Sequence, residues 1–143
     1  MAKLHELTER LPEDILQHSR RVAVLTDYYQ FPDKNLETTE IALLHDLIED
    51  TDSSLDEIES EGTRKAVDIL TRRTGESYFQ YIQRIANSGN ADAIVVKISD
   101  LTDHLLQVKT LKPSLKARYE KALSILQEVE PSIYYDSSID SNE

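Results

Sequence analysis

"IALLHDLIEDTD", residues 41–52, sets a run of aliphatic side chains around one imidazole and several carboxylates, with no lysine or arginine among them. On a helical wheel turning about 100° per residue, with His45 at zero, Asp46, Glu49 and Asp50 fall at roughly 100°, 40° and 140°. Ile41, Leu43, Leu44, Leu47 and Ile48 take the rest of the circle, so the pattern predicts an amphipathic helix over residues 36–50 with one acidic face. Taken alone, such a face reads as an ordinary solvated helix surface. Were it buried, each unpaired charge would cost several kcal/mol, and the repulsion along the face would need a compensating partner.

Apolar residues recur at three and four positions on both sides of this stretch, and the chain has only 3 glycines and 4 prolines, which predicts an all-α fold without strands. The expected helices cover about residues 2–10, 12–29, 36–50, 63–73, 78–87 and 91–108, with a last one opened by Pro113. A further short helix is expected in "TDSSLDEIESEG", capped by Ser53 or Ser54 and ended by Gly62. At 143 residues the chain suits one domain, taken as 1–131, followed by an acidic tail over 132–143 that reads as disordered. The absence of cysteine excludes disulfides and thiolate metal sites, and suits the reducing cytoplasm. No stretch is apolar enough to span a membrane. A net charge of −11 argues against a polymeric nucleic acid as partner, although a local cluster of bases or a bound cation still permits a small phosphorylated ligand.

Two other apolar segments carry isolated polar residues of a kind that matches the opening stretch. His18 lies in "ILQHSRRVAVL" and Asp100 in "IVVKISDLTDHLL". Each is ambiguous alone. Together with His45 and Asp46 they offer two imidazoles and two carboxylates from three helices, a donor set suited to one divalent cation, with Mn²⁺, Fe²⁺, Co²⁺, Ni²⁺ and Zn²⁺ all open on ligand softness. Such a cation would relieve the repulsion on the acidic face and lower the pKa of water toward neutrality, leaving Glu49 and Asp50 to orient that water and take its proton. Donors for a phosphate are Arg20 and Arg21 beside His18, Arg72 and Arg73 before "TGES", and Lys97 one turn before Asp100. Tyr78 and Tyr119 are candidates to line a nucleotide pocket. Asp103, three residues after Asp100, is placed to orient a ligand or to pair with Lys97.

The order His, His-Asp, Asp resembles the HD phosphohydrolase superfamily. The motif His-Asp-x-x-Glu-Asp at 45–50, with "LTRRTGESYFQYI", "VVKISDLTDHL" and "RYEKAL", resembles the hydrolase domain of Rel/SpoT alarmone enzymes and their small single-domain homologues. The resemblance implies a helical HD bundle, a manganese ion on His18, His45, Asp46 and Asp100, water activation by Glu49 and Asp50, and hydrolysis of the 3′-pyrophosphate of (p)ppGpp. Where that family usually has Asn, this chain has His104, a candidate for a phosphate contact or an acid. The alternatives are hydrolysis of another nucleotide phosphate (a dNTP, an NMP or NADPH) and a non-catalytic module that senses a nucleotide. Oligomeric state is not legible from the sequence.

Overall fold

The three-to-four periodicity resolves, in a computed structural model that describes residues 2–107 and 109–130, into helices joined by short turns. In chain order they are α1 (Leu4–Thr8), α2 (Glu13–Gln30), α3 (Leu36–Leu44), α4 (Leu47–Asp50), α5 (Glu61–Leu70), α6 (Tyr78–Ala86), α7 (Ala91–Leu106) and α8 (Pro113–Val129), with one 3₁₀ turn at Leu55–Glu57. No strand occurs among the described residues, so the fold is all-α, a single helical bundle. The tail over 132–143 lies outside the described residues. No helix among the described residues is long and apolar enough to cross a membrane.

Helix starts follow local chemistry. Asn35 accepts hydrogen bonds from the backbone N–H groups of Glu37 and Thr38, Ser60 from Thr63, Ser77 from Gln80 and Asn90 from Ala93, each satisfying donors that have no partner inside the helix. Pro113 occupies a first turn, where its missing N–H costs nothing.

Two expectations are corrected. The helix expected over 36–50 is interrupted at His45 and Asp46: His45 ends α3, and Asp46, at φ −102° and ψ 4°, leaves the helical region before α4 begins. The cause is local. The His45 ring bonds through Nδ1 to the Ala42 carbonyl at 2.7 Å, three residues back, and Asp46 takes the sparsely populated backbone region where many active-site residues sit. Gly62 does not end a helix. It lies in the first turn of α5, behind the Ser60 cap, and "SSLDEI" supplies only the 3₁₀ turn.

α7 is the central element, packed against α2, α3, α5, α6 and α8. Its residues from Ala93 to Leu101 are all buried, as "AIVVKISDL" requires if nearly every face of the helix meets another. Val22, Ile41, Leu44, Leu47, Val67, Ile82, Ile98 and Leu126 complete a core drawn from every long helix. The turn between α5 and α6 is closed by Arg84, which pairs with Glu76 at 2.7 Å and donates to the carbonyls of Ile69 and Thr71. That pairing holds the Glu76 carboxyl down at about 2. The clasp fixes the segment that carries Arg72 and Arg73.

Because Ile98 is fully buried on the central helix, Ile98→Ala is expected to lower unfolding free energy by about 2–5 kcal/mol in urea denaturation, with secondary structure retained before the transition.

Candidate metal centre

Three segments bring the polar residues together. α2 contributes His18 from its middle, the α3–α4 interruption contributes His45 and Asp46, and α7 contributes Asp100. His18 Nε2 lies 2.7 Å from Asp100 Oδ1, and His45 Nε2 lies 3.5 Å from the same oxygen. His18, His45 and Asp100 each offer one ligand atom within 4.8 Å of the others, a cluster able to hold a metal ion. Asp46 adds its Oδ2 at 3.2 Å from His45 Nε2 and 3.9 Å from His18 Nε2. Without the break at His45–Asp46 these two side chains would follow a regular helical surface. The break lets the adjacent residues face one point.

The donor chemistry fits a cation. The Nδ1–H of His45 donates to the Ala42 carbonyl, which leaves Nε2 as the free coordinating nitrogen. That atom is buried and has no hydrogen-bond partner among the described residues, although two carboxylates are near it. His18 is oriented in the same way, its Nδ1 2.7 Å from Asp103 Oδ2. Asp103 is in turn gripped by Arg21, whose Nε and Nη2 donate to its two oxygens at 2.9 and 3.1 Å. Both imidazoles therefore have their far nitrogens tied to acceptors and their Nε2 atoms turned to one place, the arrangement that metal-ligating histidines adopt.

Electrostatics point the same way. Burial opposes a charge on His45, yet Asp46 and Asp100 hold its pKa well above the ordinary imidazole value. Burial likewise opposes protonation of His18, and the hydrogen bond and charge of Asp100 raise its pKa. Asp100, buried, is held well below the carboxylate range by Lys97 and His45 against the cost of its desolvation. Lys97 donates from Nζ to Asp100 Oδ2 at 2.8 Å, and its pKa stands well above normal because Asp100 outweighs burial. The site calls for positive charge, supplied by protons or by a divalent cation.

Above the cluster opens a cavity of about 390 Å³. Of the residues singled out in the sequence, His18, Arg21, Asp46, Glu49, Arg72, Tyr78, Lys97, Asp100, Asp103 and His104 line it, while His45 is buried outside the lining, against Asp46 and Asp100. Glu49 accepts a hydrogen bond from the Arg72 backbone N–H at 2.7 Å. His104 lies 3.3 Å from Asp100 Oδ1, its ring tilted against His18 and stacked on Tyr119 at 5.1 Å. Tyr78 presents a buried hydroxyl with no partner among the described residues, and burial raises its pKa to about 12.

Other candidates lie elsewhere or are already engaged. Arg20 lines a separate hollow with Lys3 and His5. Arg73 is bound to Asp68, donating to its carbonyl at 2.6 Å and pairing with its carboxylate at 3.3 Å. Asp50 is exposed and outside the cavity lining, although burial and the charges of Asp46 and Glu49 raise its pKa. Lys97 and Arg21 line the cavity while paired to Asp100 and Asp103, and of its lysines and arginines only Arg72 has no acidic ion-pair partner among the described residues.

Two contributors escaped the sequence reading. Asp14 lines the cavity one turn before His18, a spacing that places both on one face of α2. Arg118, beside Tyr119 in "RYEKAL", stacks its guanidinium over the Tyr78 ring at 4.9 Å, a contact no local pattern announces.

No family model matches the chain, and neither does any curated protein sequence, so the residues of the site carry the functional argument. Two expected outcomes test the geometry. Imidazoles with raised pKa values stabilise the metal-free protein fully below the ordinary value of 6.5, and lose that contribution as pH rises through the elevated folded values. Thermal melts without metal should thus show Tm falling as pH rises above that value, and added Mn²⁺ should offset the fall increasingly with pH, because metal displaces those protons. Separately, Asp103→Asn should weaken Mn²⁺ binding by about 10–100-fold in calorimetry by releasing the His18 ring, with little change in helical content.

Proposed function

We infer that this chain is a metal-dependent phosphohydrolase acting on a small phosphorylated nucleotide, with (p)ppGpp the first substrate and its 3′-pyrophosphate the group released. The observation that carries the metal-dependent part is the His45 Nε2 atom, buried, tautomerically fixed by Ala42 and without a hydrogen-bond partner between two carboxylates. The substrate assignment rests on the resemblance of residues 45–50 and of "LTRRTGESYFQYI" to the Rel/SpoT hydrolase domain.

His18, His45 and Asp100 would hold the cation, with Asp46 beside them, and manganese follows from the same resemblance. When bound, the ion supplies Lewis-acid polarisation of water and of a phosphoryl oxygen. Glu49, held by the Arg72 amide at the cavity wall, is positioned to orient the attacking water and accept its proton. Arg72 meets phosphate oxygens with its terminal nitrogens, while its Nε is occupied by the Glu76 carbonyl at 3.0 Å. The Tyr78 hydroxyl donates to the substrate the hydrogen bond it lacks within the protein. His104, backed by the stacked ring of Tyr119 outside the cavity lining, gives the nucleotide an aromatic wall. Water is consumed, the bond between the ribose 3′-oxygen and the diphosphate breaks, and GDP or GTP leaves with pyrophosphate.

One observation favours a second reading, hydrolysis of another nucleotide phosphate such as an NMP, a dNTP or NADPH. Arg21 and Lys97 are neutralised by Asp103 and Asp100, so Arg72 is the one lining cation without an acidic partner among the described residues, a modest provision for two diphosphate groups.

Purified protein with Mn²⁺ and ppGpp is expected to release GDP and pyrophosphate, and Asp46→Ala and Glu49→Gln to reduce the rate by 10²-fold or more, the usual scale for a removed general base. Turnover of a different nucleotide in a panel scored for orthophosphate and pyrophosphate selects the second reading. No turnover of any nucleotide by metal-loaded protein contradicts both.

A further inference from the structure

We propose that a groove across α1, α2 and α3, on the side of α2 and α3 away from the metal cluster, is the interface of a two-fold symmetric homodimer. Two adjoining hollows form it, sharing Leu4 and Leu43 in their walls. The first, of about 520 Å³, is edged by Lys3, His5 and Arg20. The second, of about 450 Å³, is edged by Glu37 and Glu40. The groove thus has an apolar floor, a basic end and an acidic end.

Neither end is neutralised by the described residues. Among the described residues, the side chains of Lys3, His5 and Arg20 have no anionic partner, which is unusual in a protein of net charge −11. Among the described residues, Glu37 and Glu40 are met only by hydroxyls, from Ser60 at 2.6 Å and Thr63 at 3.0 Å, which satisfy hydrogen bonding without cancelling charge. Large apolar side chains are also exposed along and beside the same helices. Leu36 is 78 % exposed at the acidic end, Val24 is 68 % exposed one turn beyond Arg20, and Phe31 is 79 % exposed where α2 stops. Exposed apolar side chains gathered on one face mark an association surface.

The charge pattern selects the occupant. A polyanion meets repulsion from Glu37 and Glu40 and from the chain as a whole, and a basic partner leaves Arg20 and its neighbours unpaired. A second copy rotated by a two-fold axis lays the basic end of each protomer on the acidic end of the other and covers both apolar floors at once, which is the self-complementarity an isologous interface needs. This inference does not depend on the hydrolase reading.

Sedimentation velocity across a concentration series tests it. The wild-type chain is expected to sediment as a dimer. Arg20→Glu and Glu37→Lys should each weaken dimerisation at least 100-fold, and an equimolar mixture of the two variants should restore a dimer, because the acid introduced at position 20 meets the base introduced at 37 on the other chain. Leu36→Asp, at a site too exposed to disturb the core, should give a monomer with an unchanged circular dichroism spectrum. A monomeric wild type, a dimer that survives Leu36→Asp, or a charge-swapped mixture that stays monomeric would overturn the proposal.

Discussion

The carboxylate of Asp100 organises the functional half of the molecule. It is 4 % exposed, on the most deeply packed helix, where an unpaired charge would be prohibitive. Lys97 fixes one oxygen at 2.8 Å and leaves the other to His18, His45 and His104, so a buried ion pair becomes a one-sided receptor. Lys97 is itself stabilised by the face of Tyr81, 4.9 Å from its ammonium group. Around this pair the remaining polar residues form a chain in which each group is oriented by the next: Arg21 holds Asp103, Asp103 holds His18, and Ala42 holds His45.

Much of the site was legible in sequence because its residues sit in helices whose other faces are apolar. His18, His45 and Asp100 stood out as polar groups in segments that the core would claim, and the folded chain places them within 4.8 Å of one another. The boundaries of α2, α6, α7 and α8 followed from proline, caps and glycine-bearing turns. The break at His45–Asp46 was not legible, because it arises from a ring-to-carbonyl bond that competes with helix continuation, while every residue from 36 to 50 is compatible with a helix. Gly62 misled for the opposite reason: as a residue that commonly follows helices it marked an end, whereas Ser60 just before it caps a beginning.

Charge pairing was the harder part to read. Arg20 and Arg21 are neighbours in sequence, yet α2 turns them by about 100°, one toward Asp103 and the other into the groove with Lys3 and His5. Composition offered both as phosphate donors; only packing separates them. The same rotation gives α2 and α3 two faces, one turning the candidate metal-holding residues toward the cavity and the other carrying mixed charge on leucines toward the outer groove. In the proposed dimer, a partner seated on that groove would stiffen the helices that carry His18 and His45.

The account stands on one cation occupying the point shared by the two Nε2 atoms. The most direct measurement is anomalous diffraction at the manganese edge from crystals grown with Mn²⁺. The account predicts a single strong peak in bonding contact with His18 Nε2, His45 Nε2 and Asp100, with the Ala42 and Asp103 hydrogen bonds retained on the far side of each ring. A structure in which His18 remains hydrogen-bonded directly to Asp100 while manganese binds elsewhere, or nowhere, would contradict it.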